Sequence, residues 1–325
     1  MNNLDEIIKI ILSSKKIGIT YHASPDGDAV GSALALLEGI RYLKKDAYLI
    51  SKDIISENLQ FLKASKEATG KVTIPEKYTD TVIVLDCGNY ERISANLENY
   101  KGNLVNVDHH ISNDRYGDYN YVDYNAAATA EIVFEILEKL GIDFSVITEN
   151  IKEIGTCLYT SLVTDTGGFR HSNVTYKTHE IASKLKKLGV DNTNIHQNLF
   201  DNNSFEKIRL IGKTLNDMEL LFDKRISVIK IPMSIGKDLG IEVGDTSDII
   251  SFGLQIKGVE IAVLIKEIEN GTKISLRSKN NFDVRKIAEK FGGGGHIKAS
   301  GITLKGIDLN EAEGKILDEI EKELR

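Results

Sequence analysis

Acidic and histidine side chains collect in four short segments of the first half of the chain. The first is His22-Ala23-Ser24-Pro25-Asp26-Gly27-Asp28, and the others are Asp86, Asp108-His109-His110 and Asp165. A mixture of about four carboxylates and two imidazoles favours Mn(II), with Co(II) or Zn(II) as competitors and Mg(II) as a substitute. Two such ions about 3.5–4 Å apart activate a bridging water and stabilise in-line phosphoryl displacement. The segments themselves contain no cysteine, which argues against a structural zinc site.

The apolar pattern predicts the elements that position these segments. Strand-like runs occupy residues 17–21, 47–50, 82–85 and 104–107, while helical patterns cover 29–44, 127–140 and 151–163. This alternation predicts a parallel sheet with helices on its faces. Three of the four segments follow predicted strands, so we expect them to meet in the crevice beyond the carboxyl ends of the sheet. One aspartate after a strand is often just a helix cap or a turn residue. The metal-site hypothesis therefore depends on the convergence of all four segments.

The second half of the chain has a different pattern. Strands are predicted over 225–231, 259–268 and 273–278, with helices near 282–291 and 310–324. We therefore expect an α/β protein of two domains, a parallel-sheet domain followed by a smaller mixed-sheet α/β domain, with the active site in the cleft between them. The predicted bounds are 1–190 for the catalytic metal-binding domain, 191–212 for a helical linker and 213–325 for the substrate-binding domain.

Length and composition are those of a globular protein. The chain has 325 residues, of which 41% are hydrophobic and 27% charged. It contains no apolar run of the roughly 18 residues that a membrane helix needs, and its N-terminus lacks the basic region of a signal peptide. Two cysteines, Cys87 and Cys157, cannot build a disulfide framework. We expect a cytoplasmic protein with no membrane partner.

The net charge of −7 argues against a general nucleic-acid binder. Part of that charge belongs to the candidate metal ligands, which two divalent cations would neutralise. The chain also has no tryptophan and no run of interleaved aromatic residues of the kind that tracks a long single strand. A short anionic substrate therefore fits better than a polymer.

A second group of candidate residues lies near the C-terminus. Four consecutive glycines, 292–295, precede His296, and the stretch from Gly271 to Ser300 contains seven cations and two anions. Backbone N–H groups of glycines approach a phosphate closely, and a basic patch attracts anionic substrates. Arg277 and Ser278, at the end of a predicted strand, are candidates for holding a terminal phosphate. The alternative for the glycines is a flexible turn after the helix over 283–290.

Taken together, these motifs resemble the DHH phosphoesterase superfamily. His22 to Ser32, Asp86, Asp108-His109-His110 and Asp165 are similar to its four motifs. Residues 120–123 and 158–167 resemble the branch of oligoribonucleases, or nanoRNases, that also dephosphorylate 3′-phosphoadenosine 5′-phosphate (pAp). Residues 291–296, followed by Ala299-Ser300-Gly301, resemble the glycine-rich motif of the DHH-associated C-terminal domain.

The resemblance implies a role for each candidate residue. One Mn(II) would be bound by His22 and Asp26, the other by Asp28, His109 and Asp165, and Asp86 would bridge both. Asp108 would orient a ligand, and His110 would contact the scissile phosphate or the attacking water. The alternative for His110 is a buried histidine that donates to a backbone carbonyl. Substrate contacts would come from Arg277, Ser278, Gly293, Gly294, Gly295 and His296.

The leading hypothesis is a Mn(II)-dependent phosphodiesterase that shortens very small RNA to mononucleotides and also removes the 3′-phosphate of pAp. Hydrolysis of cyclic dinucleotides or their linear products stays open, because it would use the same machinery. Inorganic pyrophosphatase is disfavoured, because that branch lacks the glycine-rich motif. A catalytically silent nucleotide sensor is disfavoured by the intact set of ligands. The expected partners are short RNA oligonucleotides and small nucleotides, and a homodimer is compatible with the sequence.

Overall fold

The computed structural model describes residues 3–241, 243–244, 246, 248–280 and 282–324, without the side chain of His296. Contacts divide the chain into two units, of which unit 1 ends at Asn202 and unit 2 begins at Asn203. Each unit has hydrophobic cores of its own. The predicted linker over 191–212 spans this division, and the predicted domain bounds stay a prediction.

Unit 1 alternates strands and helices, as the sequence pattern predicts. Its strands are β1 (Lys16–Thr20), β2 (Asp46–Leu49), β3 (Thr81–Leu85), β4 (Asn103–Asp108) and β5 (Tyr119–Val122). Its helices are α1 (Leu4–Ser13), α2 (Gly27–Tyr42), α3 (Thr129–Lys139), α4 (Glu149–Asp165), α5 (Tyr176–Lys187) and α6 (Asn192–Phe200).

The sheet of unit 1 is parallel throughout, in the order β2-β1-β3-β4-β5. Every residue of β3 is buried, which explains its continuous Thr-Val-Ile-Val-Leu sequence. The four predicted strands are confirmed within one or two residues at each end. The edge strand β5 was not predicted, because its sequence Tyr-Asn-Tyr-Val is short and only partly buried.

Helix α2 covers this sheet and determines where the first acidic segment lies. The helix begins after Asp26, whose carboxylate caps it by accepting hydrogen bonds from the backbone N–H groups of Asp28 and Ala29. Helix α4 packs closely against α2. A Cβ at Gly27 would lie 2.3 Å from Thr164, and one at Gly31 would lie 2.6 Å from the Cys157 carbonyl oxygen. These glycines allow Asp28 on α2 to approach the end of α4.

Unit 2 contains a mixed sheet, as predicted for the smaller domain. Its strands follow the order β10-β11-β9-β8-β7-β6, and only the pair β7–β8 is parallel among the described residues. The strands are β6 (Glu219–Leu221), β7 (Ile226–Ile231), β8 (Ile261–Ile268), β9 (Gly271–Ser278), β10 (Gly294–His296) and β11 (Ala299–Lys305). The helices are α7 (Phe205–Asn216), α8 (Met233–Leu239), α9 (Ile249–Gln255), α10 (Val284–Lys290) and α11 (Leu309–Leu324).

Within the described residues, no helix has both the length and the apolar composition needed to cross a bilayer. Both cysteines are buried and unpaired.

Candidate active site

Three of the four predicted segments end neighbouring strands. His22 follows β1, Asp86 follows β3 directly, and Asp108 is the last residue of β4. The strands β2 and β3 lie on opposite sides of β1, so the order in which the chain adds strands to the sheet changes direction at β1. Such a switch point opens a crevice beyond the carboxyl ends of the strands, where ligands bind in parallel sheets. The sheet therefore brings these segments together as predicted.

The six predicted metal ligands form two clusters that share one carboxylate. In the first cluster, His22 Nε2 lies 3.9 Å from Asp26 Oδ1 and 3.6 Å from Asp86 Oδ2. In the second cluster, His109 Nε2 lies 3.6 Å from a carboxylate oxygen of each of its neighbours, which are Asp28, Asp86 and Asp165. Asp86 presents Oδ2 to the first cluster and Oδ1 to the second.

These distances are slightly longer than those between two ligands of one bound metal ion. Nitrogen-to-oxygen separations of 3.6–3.9 Å are too long for hydrogen bonds. Two atoms that each lie about 2.1 Å from one divalent ion, at about 90–110°, are about 3.0–3.5 Å apart. The donor atoms therefore face one another without hydrogen bonding, and a small contraction would bring them to ligand distances of one ion. A mixed set of carboxylates and imidazoles suits a divalent transition metal.

Backbone carbonyls orient both imidazoles toward the clusters. His22 Nδ1 lies 3.0 Å from the carbonyl oxygen of Ala23, and His109 Nδ1 lies 3.1 Å from that of Ala126. A ring that donates from Nδ1 to a carbonyl leaves Nε2 unprotonated in the neutral tautomer, which is the form that binds a metal. In both rings, Nε2 is the atom that faces the carboxylates.

Two hydroxyl side chains that the sequence analysis missed hold the carboxylates. Thr129, the first residue of α3, donates its hydroxyl to Asp86 Oδ1 (3.1 Å) and its backbone N–H to Asp28 Oδ2 (2.8 Å). The hydroxyl of Ser161 donates to Asp28 Oδ1. Ser161 precedes Asp165 by one turn of α4, so the helical spacing of four residues was a signal that it shares a face with this ligand.

Asp86 also has an unusual backbone conformation. Its φ of 53° lies in the left-handed region, which is costly for a residue with a Cβ. Its backbone N–H donates to the carbonyl oxygen of Val107 on the neighbouring strand (3.1 Å). The chain therefore turns sharply where β3 ends, and this turn aims the carboxylate between the two clusters.

Asp108 and His110 form a pair beside the shared carboxylate. Asp108 Oδ1 lies 2.7 Å from His110 Nδ1 and accepts the backbone N–H of His109 (2.7 Å). His110 Nδ1 also lies 3.5 Å from Asp86 Oδ1. The ring of His110 is thus oriented by a carboxylate, which differs from the carbonyl partner considered as the alternative. Burial opposes ionisation of Asp108, but the hydrogen bond with His110 outweighs it and lowers the pKa of Asp108 to about 2.

The electrostatics of the clusters favour protonated imidazoles at neutral pH. Burial opposes the charged form of His22, yet the carboxylates of Asp26 and Asp86 outweigh it and raise the pKa of His22 to about 9. The same balance, with Asp28 as the largest attractive charge, raises the pKa of His109 to about 9.

Three of the four ligand carboxylates, those of Asp28, Asp86 and Asp165, shift toward their neutral forms. Burial, followed by the charge of Asp86, raises the pKa of Asp28 to about 7. Burial also raises the pKa of Asp165 to about 7 and that of Asp86 to about 6. Metal ligands must be deprotonated, so cations that bind here displace protons. Asp26 is exposed and Asp165 is half-buried, whereas the other four ligands are more buried, so the clusters open to solvent on this side.

In unit 2, the structure requires glycine at positions 292, 293 and 295 of the glycine run, for a different reason at 292 than at the other two. Gly292 ends α10 with a left-handed φ of 72°. A Cβ at Gly293 would lie 2.2 Å from the Gly301 carbonyl oxygen, and one at Gly295 would lie 2.5 Å from that of Ala299. Close approach of the β11 backbone therefore excludes side chains at these two positions, whereas a Cβ at Gly294 would meet nothing within 4 Å. The side chain of His296 lies outside the described part of the structure.

Arg277 and Ser278 end β9, as predicted, and both form hydrogen bonds within unit 2. Arg277 donates to the Leu276 carbonyl oxygen (3.0 Å), and the Ser278 hydroxyl donates to that of Phe282 (2.7 Å). Part of the predicted basic patch is also neutralised locally. Lys290 pairs with two glutamates of α11, and Arg285 pairs with Asp283.

Comparison with known proteins identifies both units. Residues 16–162 match the model of the DHH family, N-terminal domain, and residues 226–325 match that of the DHHA1 domain. A curated relative from Thermus thermophilus, the bifunctional oligoribonuclease and PAP phosphatase NrnA, is 32% identical over 100% of this chain and 94% of its own length. The chain belongs to the DHH family. Membership identifies it as a metal-dependent hydrolase of phosphodiester or phosphate substrates.

Two further proteins are similar to this chain over most of its length. The cyclic-di-AMP phosphodiesterase PdeA of Listeria monocytogenes is 24% identical over 96% of this chain and 48% of its own length. The crystal structure of an exopolyphosphatase-related protein from Bacteroides fragilis superposes with a TM-score of 0.89, at 27% identity, over 98% of this chain and 95% of the other. This DHH chain therefore shares the fold of that structure.

Proposed function

We propose that this DHH protein hydrolyses very short oligoribonucleotides, such as dinucleotides, to mononucleotides and removes the 3′-phosphate of pAp. The main support for this proposal is the position of Asp86, which presents one carboxylate oxygen to each of two ligand clusters. The substrate class is supported by the full-length relative from Thermus thermophilus, whose name states both activities.

The proposed cofactor is a pair of Mn(II) ions, with Co(II) or Mg(II) as substitutes. His22 and Asp26 would hold one ion and Asp28, His109 and Asp165 the other, with Asp86 shared. The mixture of oxygen and nitrogen donors supports this choice of metal. When bound, such a pair supplies Lewis-acid stabilisation of the phosphoryl oxygens and a nucleophile derived from water.

The chain's own residues prepare the site for this chemistry. The carbonyls of Ala23 and Ala126 hold Nδ1 of His22 and His109, so that Nε2 of each ring faces a cluster. Asp108 holds Nδ1 of His110, and the ring of His110 would contact the scissile phosphate or the attacking water. We assign His110 as a catalytic residue and Asp108 as the residue that positions it.

Substrate binding is assigned to unit 2. Gly294 has open space at its Cα, so its backbone permits close approach of a nucleotide. The other proposed contacts are Arg277, Ser278, Gly293, Gly295 and His296. A location in the cytoplasm and a homodimeric state remain predictions of the sequence.

Product analysis by chromatography tests this proposal. Purified protein with Mn(II) is incubated with the linear dinucleotide pApA, with pAp and with cyclic di-AMP in parallel, and a sample containing excess chelator is the control. Rapid release of AMP from pApA and pAp, with the cyclic compound intact, is the expected result. Preferential loss of cyclic di-AMP would instead favour the activity stated in the name of the Listeria relative. No product from any compound in a folded, metal-loaded sample would favour a nucleotide sensor.

A further inference from the structure

The side-chain amide of Asn113 lies between the two turns that carry the candidate catalytic residues. Its Nδ2 is 2.6 Å from Asp108 Oδ2, 2.9 Å from Asn106 Oδ1 and 3.3 Å from the Cys87 carbonyl oxygen. Its Oδ1 accepts the backbone N–H of Arg115 (2.7 Å). One amide thus contacts the turn after β3, the end of β4 and the loop that follows β4.

The Cys87 carbonyl oxygen is a second centre of the same network. It accepts the hydroxyl of Tyr116 (2.8 Å) and the amide of Asn106 (3.1 Å), in addition to the contact with Asn113. Asn106 is fully buried and also donates to the Tyr116 oxygen (3.0 Å). Cys87 follows Asp86, so these polar groups hold the peptide next to the strained backbone of the shared carboxylate.

We propose that Asn113 is a positioning residue, which fixes the carboxylate plane of Asp108 and through it the ring of His110. Asp108 Oδ1 forms hydrogen bonds with His110 Nδ1 and with the backbone N–H of His109, and Oδ2 accepts a hydrogen bond from the Asn113 amide. Asp108 is fully buried, so loss of this donor leaves a charged oxygen without a strong hydrogen bond. Rotation of the carboxylate to recover a partner would release His110.

The loop containing Asn113 has other attachments, which makes its orienting role separable from folding. The backbone N–H of Asp114 donates to the Gly88 carbonyl oxygen (2.8 Å), and Asn89 Nδ2 donates to Asp114 Oδ2 (2.7 Å). These bonds join the same two turns and do not use the Asn113 side chain. Removal of the amide therefore leaves the loop attached.

The kinetic test rests on the proposed function and uses Asn113→Ala and Asn113→Asp in the full chain with Mn(II). Partners that orient a reacting group typically contribute about 10- to 100-fold to activity. We expect kcat on pApA to fall by that factor while KM stays within about twofold, because substrate contacts are unchanged. The matched control is Asn89→Ala, which removes an amide that joins the same turns through Asp114 and is expected to keep wild-type kcat. Wild-type kcat in Asn113→Ala would overturn the proposal.

A second measurement does not depend on hydrolysis. Long-range proton–nitrogen NMR spectra of ¹⁵N-histidine protein with Mg(II) report which ring nitrogen of His110 carries the proton, with His110→Asn used for assignment. We expect protonated Nδ1 in the wild type and a mixture of tautomers in Asn113→Ala. Unchanged His110 signals, or a fall in kcat accompanied by loss of the folded spectrum, would overturn the positioning role. Absence of activity in the wild type would count against the proposed function alone.

Discussion

Asp86 lies between two groups of candidate ligands, with Oδ2 3.6 Å from His22 Nε2 and Oδ1 3.6 Å from His109 Nε2. A single carboxylate can serve both clusters because the left-handed backbone turn and the hydroxyl of Thr129 hold its plane between them. A shared anion also offsets the repulsion between two divalent cations. The pair of clusters therefore depends on this residue more than on any single flanking ligand.

Replacement of Asp86 tests that dependence. Asp86→Asn keeps the volume and removes the charge, so we expect titration calorimetry to show fewer than two tightly bound Mn(II) ions. Metal assistance contributes several kcal/mol to the transition state, so kcat on pApA should fall by about 100- to 1,000-fold or more. Asp143→Asn, in the exposed loop after α3, is the control and should keep both values. Full activity in Asp86→Asn, with circular dichroism unchanged, would contradict a two-metal centre.

The shifted pKa values predict proton release on metal binding. At pH 7, His22 and His109, with pKa values of about 9, carry protons, and Asp28 and Asp165, with pKa values of about 7, are partly protonated. Bound metal requires the deprotonated forms, so its apparent affinity should rise as the pH increases from 6 toward 9. Calorimetry at pH 7 in PIPES and in Tris measures the released protons, because the two buffers differ in ionisation enthalpy. Identical heats in both buffers would show that no net protons leave.

At the scale of elements, the run of glycines before β11 contains positions that strand packing constrains and one position that it leaves open. Gly293 and Gly295 lie against the backbone of β11, whereas Gly294 faces open space. The sequence alone presents four equivalent residues, yet close approach of the β11 backbone gives them different constraints. Position 294 is therefore the place where a substrate contact can be tested without disturbing the sheet.

Alanine substitutions at Gly293 and Gly294 separate a role in folding from the proposed role in substrate binding. Gly294→Ala should keep the Tm within about 1 °C of wild type and raise KM for pApA, because its Cβ occupies the space assigned to substrate. Gly293→Ala places a Cβ 2.2 Å from a carbonyl oxygen. Such overpacking costs about 1–3 kcal/mol, so its Tm should fall by about 2 °C or more. Unchanged KM in Gly294→Ala would remove this residue from the proposed contacts.

At the scale of the whole molecule, the chain combines a net charge of −7 with two units that each fold around cores of their own. The acidic ligands require cations, and the surrounding charge does not attract a long polyanion. The seven cations between Gly271 and Ser300 are partly paired with local carboxylates. Electrostatics therefore favour the small substrates that we propose.

Chain length of the substrate should consequently control the rate. We expect pApA to be hydrolysed at least about tenfold faster than a 20-nucleotide RNA, because the sequence has no interleaved aromatic run to stack successive bases. Initial rates on RNAs of 2, 5 and 20 nucleotides, at equal concentrations of ends, measure this dependence. A DNA dinucleotide is a useful comparison, because it keeps the length and lacks the 2′-hydroxyl. Equal rates on all RNA lengths would contradict the preference.

Local patterns were sufficient to predict the parallel sheet and the convergence of the acidic segments. Residues of β1, β3 and β4 alternate or run as apolar stretches, and the chemistry-bearing residues follow at their ends. Periodicity is a property of consecutive residues, so these strands appear in the sequence within a residue or two of their observed bounds. The partly buried β5 has no such pattern and was missed.

The sequence by itself determined which residue types are available for metal and phosphate chemistry and at which strand ends they occur. Tertiary structure decided which oxygen faces which cluster, and which side chains support them. Ser161 contacts Asp28 across 133 residues, Thr129 contacts Asp86 across 43, and Asn113 contacts the carbonyl of Cys87 across 26. No local pattern encodes such pairs, because they depend on the packing of α4 on α2 and on the order of strands in the sheet.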